Sequence, residues 1–151
     1  MNPRPQRYSK EVNAKVAELL WPKVLTWLEG EDADIQDLVD AVNFNRDGYA
    51  IARELDHAGW CPDSNLVEIL DQAEHFRYEV LKDLSTLWVK ENNLQGPAIG
   101  SRVSWAKGPK GATEGGEVVE NHGDGKSSVK FCQALTSRTY YVPWDEMVVV
   151  P

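Results

Sequence analysis

The residues whose spacing comes closest to a known chemistry are Asn43, Asn45, Asp47, Gly48 and Glu54. They fall on positions 1, 3, 5, 6 and 12 of a helix–loop–helix calcium loop. Asn at position 1 leaves two carboxylates around the ion, and Ile51 stands at position 9, where a polar group is usual. Calcium affinity follows ligand charge, so the run reads instead as a helix entry, with Asp47 as cap and Gly48 in the first turn. Gly125-Lys126-Ser127 matches the end of a phosphate-binding loop, but Glu120 occupies the place of the required first Gly. That loop also needs a strand-to-helix turn, and a hairpin is expected here. Zinc would draw on His57, Cys61, His75, His122 or Cys132, of which only His57 and Cys61 are close in sequence. A structural zinc site needs four ligands, usually as two near pairs. The same scarcity leaves no Cys–His nucleophile pair. Neighbouring carboxylates are common in a chain this acidic and define no acid–base pair by spacing alone. The expectation is no catalytic group, no metal and no cofactor.

Two other sets of residues suit recognition. Glu29, Glu31, Asp32, Asp34, Asp37 and Asp40 put six carboxylates into twelve residues with no Lys or Arg among them. Such a run is either a solvated face that aids solubility or a surface for a basic partner, since complementary potentials speed encounter and select the partner. Spaced carboxylates can replace phosphates in a groove built for nucleic acid. The second set is aromatic. The chain has six Trp, and Trp and Tyr serve as interface anchors as well as core. Tyr140 and Tyr141 must point to opposite faces of a strand, so one ring is expected outward, and Trp144 would join it in an exposed patch.

The whole chain supports recognition over catalysis. It has 151 residues, 42% hydrophobic and 26% charged, with 16 Lys+Arg against 24 Asp+Glu and a net charge of −8. A general binder of phosphate backbones carries the opposite balance. No apolar run approaches the ~20 residues that span a bilayer. The opening MNPRPQRYSKE lacks the apolar stretch of a secretory signal, and two Cys are too few for a disulfide framework. A cytoplasmic setting is expected.

The elements follow from period and punctuation. Residues 1–95 carry 10 Lys+Arg and 18 Asp+Glu, whereas 96–151 carry six of each, together with eight of the 11 Gly. This predicts an acidic helical domain over 1–95 and a neutral β domain over 96–151. Ser9 caps a first helix, which Pro22 should kink or restart and Gly30 should stop. A second helix starts at Asp32 or Asp34 and buries Ile35, Leu38, Val39 and Val42. A third follows Asp47 and ends at Gly59. The fourth runs uninterrupted from Ser64 for about 25 residues, its apolar residues recurring at threes and fours. After Pro97 the period falls to two, giving five short strands near 102–105, 117–120, 128–132, 139–142 and 147–150. Gly123-Asp124-Gly125 makes a hairpin turn, and Pro143-Trp144-Asp145-Glu146 suits a 3₁₀ turn. The fold class expected is α+β, a bundle of about four helices followed by a small five-stranded β-barrel.

Residues 99–151 resemble an SH3-like barrel of the Tudor or KOW type. The resemblance rests on Gly100-Ser101-Arg102-Val103-Ser104-Trp105, Gly116-Glu117-Val118-Val119, Val129-Lys130-Phe131 and the closing Tyr141 to Val149 run. It implies a scaffold that binds peptides, modified side chains or nucleic acids. The N-terminal part is similar to small acidic helical phage proteins, among them anti-CRISPR proteins, in size, charge and the Arg46-Asp47-Gly48-Tyr49…Ala58-Gly59-Trp60 run. That likeness implies an inhibitor of a host nucleic-acid-handling complex.

The function expected is therefore non-enzymatic protein binding, with another protein's basic surface as partner and no membrane. The partner-binding residues expected are Glu29, Glu31, Asp32, Asp34, Asp37, Asp40, Tyr140 and Trp144. The alternative is a nucleic-acid-binding module acting through the barrel, with Arg102, Lys107, Lys110, Lys126, Lys130 and Arg138 beside Trp105 and Tyr140.

Overall fold

Ser9 starts the first helix as expected: its hydroxyl accepts the Val12 N–H, satisfying one of the donors a helix start leaves open. In the computed structural model, which describes residues 2–44, 47–107, 112–131 and 139–151, α1 runs over Lys10–Leu28. It continues through Pro22 rather than restarting there. Proline removes one backbone bond, but Val16, Leu20, Val24 and Leu28 form one buried stripe across that point. Packing on both sides holds the helix together. Glu29 in the left-handed region (φ 51°) and Gly30 (φ 89°) then end it.

Helix α2 (Ile35–Phe44) buries Leu38, Ala41 and Val42. Helix α3 (Gly48–His57) is capped by Asp47, which accepts the Ala50 N–H, and it buries Ile51, Ala52 and Leu55. The single long helix expected from Ser64 is two: α4 (Ser64–Leu70) and α5 (Ala73–Glu91). At the break, Gln72 N–H bonds to Ile69, three residues back instead of four. The Asp71 carboxylate there accepts the Gly48 N–H at 2.8 Å. This explains Gly48 better than a calcium loop does. A Cβ on it would lie 2.3 Å from the Val67 carbonyl oxygen and 2.6 Å from the Asp71 nitrogen.

One charge is buried among these helices. Arg77 has no exposed side-chain surface, and it donates to Glu74, to the Asn13 amide oxygen (3.0 Å) and to the Val42 carbonyl (3.3 Å). Its guanidinium lies 5.1 Å from the centre of the Tyr8 ring. Asn13, itself buried, donates to Asn43 at 2.9 Å. Buried charge is tolerated only when so partnered.

The β part is an antiparallel sheet of β1 (Arg102–Lys107), β2 (Ala112–His122), β3 (Lys126–Phe131), β4 (Thr139–Pro143) and β5 (Val148–Val149). Its strand order is β4-β3-β2-β1-β5. A 3₁₀ turn, Trp144–Glu146, separates β4 from β5, and residues 123–125 turn the β2–β3 hairpin. Val103, Trp105, Val118, Val129 and Val142 form its core, with Tyr140 and Met147 packed on them. The class is α+β, but the barrel expected from the sequence is an open sheet. Among the described residues, β4 pairs with β3 alone, and β5 pairs with β1 through two residues, Val148 and Val149. That is too short an edge to close a ring of strands.

Two units divide the chain: Arg4–Asp83, and Leu84–Pro151 with Met1–Pro3. The sequence placed a boundary at Gly96 instead. The last turns of α5 group with the sheet because Trp88 and Val89 lie against the Gly125 turn, and Trp88 donates to the Asn2 carbonyl at 2.8 Å. No helix among the described residues is long and apolar enough to cross a membrane.

Candidate binding surface

The six carboxylates between Glu29 and Asp40 start where α1 stops. The left-handed turn at Glu29 and Gly30 leads into an irregular segment, 31–34, that ends at α2. Glu29, Glu31 and Asp32 are exposed. Asp34 is exposed too, and it accepts the Gln36 backbone N–H at 2.9 Å, which starts α2. Asp40 accepts the Gln36 side-chain amide at 2.8 Å. Asp37, half-buried, accepts the Trp60 indole N–H at 3.0 Å. Among the described residues, none of the six is in an ion pair.

The sequence did not join this segment to two tryptophans. Trp27 and Trp60 stack with ring centres 6.4 Å apart and planes within 6°. The Trp27 indole donates to Asp63 at 2.9 Å, and Asp63 also accepts the Leu66 N–H as cap of α4. The Leu66 N–H, then the Trp27 indole, hold the Asp63 carboxyl below its ordinary value near 3.8. Between the rings and the acidic segment lies a cleft of about 570 Å³, whose lining among the described residues includes Glu29, Glu31, Asp32 and Asp63 and no Lys, Arg or His. Trp21 borders a second, shallow depression with Asp32, Asp34 and Ile35. Trp27 and Trp60 lie 33 positions apart, so no local period links them. The only available signal was that Trp60 directly follows the helix-ending Gly59.

The sheet distributes its aromatic residues differently from the acidic segment. Tyr140 is half-buried and packs on Trp105 at 6.0 Å between ring centres. The outward ring is Tyr141, 70% exposed. Trp144 is half-buried and donates its indole N–H to Ser127 at 2.8 Å. Trp105 is only 8% exposed, so its faces are not open to a base. Glu117 stands directly opposite both Arg102 and Lys130 in the strand register, placing a carboxylate between two of the expected cations. Lys110 and Arg138 lie outside the described residues, as does Cys132, and of Lys107 only the backbone is described.

The chemistry candidates have other duties. Asp47 and Asn43 direct their side-chain oxygens to Ala50 and Asn13, while Asn45 lies outside the described residues. Ser127 is buried beneath Trp144 in the hairpin. His122 Nε2 is 2.7 Å from the Ser128 hydroxyl, the reach of a nucleophile and base. Ser128 is 5% exposed, however, and among the described residues no carboxylate orients the His122 ring. Comparison with protein-family models, curated proteins and solved structures returns no match.

Proposed function

We propose that this chain is a non-enzymatic binding protein whose acidic segment, Glu29 to Asp40, docks on the basic surface of another protein. The observation that carries this reading is the set of six carboxylates, none of them ion-paired among the described residues, held on the Glu29–Gly30 turn, the segment after it and a short helix. Leaving like charges side by side disfavours the folded chain by itself, and an incoming cationic surface relieves that repulsion. The concrete form is an inhibitor of the phage type, comparable to the anti-CRISPR proteins that the helical part resembles. It would occupy a Lys/Arg groove that otherwise holds nucleic acid. The sheet supplies a second contact through Tyr141 and the edge of Trp144. Its strand order, the register shift within β2 and the 3₁₀ turn before β5 support reading it as an open relative of the SH3-like arrangement.

The test is capture from cell lysate at low and high salt, with wild type and with Glu31, Asp32, Asp34 and Asp40 changed to Lys. The expected captured protein binds nucleic acid, leaves the wild type when salt or competing DNA is added, and is not held by the variant. Equal capture by the variant would overturn the reading.

A further inference from the structure

The cleft beside Trp27 and Trp60 has walls of two kinds, and together they select one class of ligand. Both indole N–H groups are taken by carboxylates, Trp27 by Asp63 and Trp60 by Asp37, which fixes the rings and enriches their faces in negative charge. Glu29, Glu31 and Asp32 stand at the rim. An anion is repelled by four lining carboxylates. A neutral apolar group would strip water from them and offer nothing in return. A bare metal ion needs converging oxygen ligands, and among the described residues no three carboxylates or imidazoles come together in that way. An organic cation satisfies both walls. Of the two side-chain cations fully charged at neutral pH, guanidinium is planar, weakly hydrated and able to stack on an indole while donating to carboxylates at its edge. The cleft, at about 570 Å³, lies within the ~300–1,000 Å³ usual for ligand sites.

We propose that this cleft receives an arginine side chain of the basic partner, stacked on the half-buried Trp27, which the buried Trp60 ring backs, and hydrogen-bonded to Glu31 and Asp32. The proposal rests on the docking reading above and gives it an anchor point. A diffuse acidic face attracts any cation, whereas this site distinguishes guanidinium from ammonium and from a neutral isostere.

The experiment is a titration of the full chain with a capped peptide carrying two arginines, read by the indole N–H signals of all six tryptophans in NMR spectra. The Trp27 and Trp60 signals are expected to move, while Trp88, Trp105 and Trp144 report an intact fold. The same peptide with citrulline in place of arginine should produce no shift, and with lysine it should bind at least about fivefold more weakly. Glu31→Gln with Asp32→Asn should weaken arginine-peptide binding about tenfold, and Asp34→Asn with Asp40→Asn should change it less than about twofold. Unmoved Trp27 and Trp60 signals, equal shifts with citrulline, or equal affinity for lysine would overturn the arginine site. Equal losses in the two double variants would also overturn it, while leaving the docking face standing. Arginine-peptide binding by the wild-type chain, together with unimpaired lysate capture by the charge-reversed chain, would instead sink the docking reading and spare the cleft.

Discussion

Asp63 does two jobs with one carboxylate, capping α4 through Leu66 and holding the Trp27 indole. Both donors favour its charged form, so its folded pKa lies below the ordinary value near 3.8. A depressed carboxylate stabilises the fold above its unfolded pKa, and that contribution is lost as pH falls through the folded value. Asp63→Asn should therefore be less stable than wild type at neutral pH, and the gap should narrow as pH drops below about 3.8. Denaturant midpoints measured across acid pH check this. Gly48 makes a different prediction. With the Val67 oxygen 2.3 Å from where a Cβ would sit, Gly48→Ala has to push α3 away from α4. The cost expected is about 1–3 kcal/mol, visible as a lower melting temperature. The caps Ser9 and Asp47 were legible in the sequence because a cap acts within three residues. The partners of Gly48 and Trp27 were not, since Asp71 and Trp60 lie 23 and 33 positions away.

The helices show where local signals stop being sufficient. Pro22 reads as a break, yet α1 passes through it because the stripe from Val16 to Leu28 is buried on both sides. Replacing it should restore the missing backbone bond to Glu18. Pro22→Ala is expected to raise stability by about 1–2 kcal/mol, after the lost stiffness of the unfolded chain is allowed for. A falling denaturant midpoint would show that the proline is needed where it is. Conversely, 64–91 reads as uninterrupted and is broken at Asp71–Gln72, where no Gly or Pro marks the spot. The turn there sets the Asp71 carboxylate against the start of α3, a tertiary cause with no local trace. In the sheet, alternation placed the strands and Gly125 (φ 86°) the hairpin. Closure into a barrel depends on which edges meet, and no period encodes that.

Across the molecule, charge and aromatic surface are segregated. The imbalance of −8 is carried entirely by residues 1–95, and its densest part, Glu29 to Asp40, shares depressions with Trp21, Trp27 and Trp60. The carboxylates of the candidate surface were legible as composition, whereas the cleft they line was not, because it is assembled from α1, the Glu29–Asp34 segment and the Trp60–Asp63 turn. What separates a docking face from a merely soluble one is location at constant charge. Two variants make that comparison. One carries Lys at Glu31, Asp32, Asp34 and Asp40; the other carries Lys at Glu54, Asp56, Glu68 and Asp83, which are also exposed. Each moves the formal charge from −8 to zero. With both captured side by side against the same lysate in low salt, the first variant should lose the nucleic-acid-binding partner and the second should retain it. Equal loss in both, or loss only in the second, would show that Glu29 to Asp40 is not the docking face.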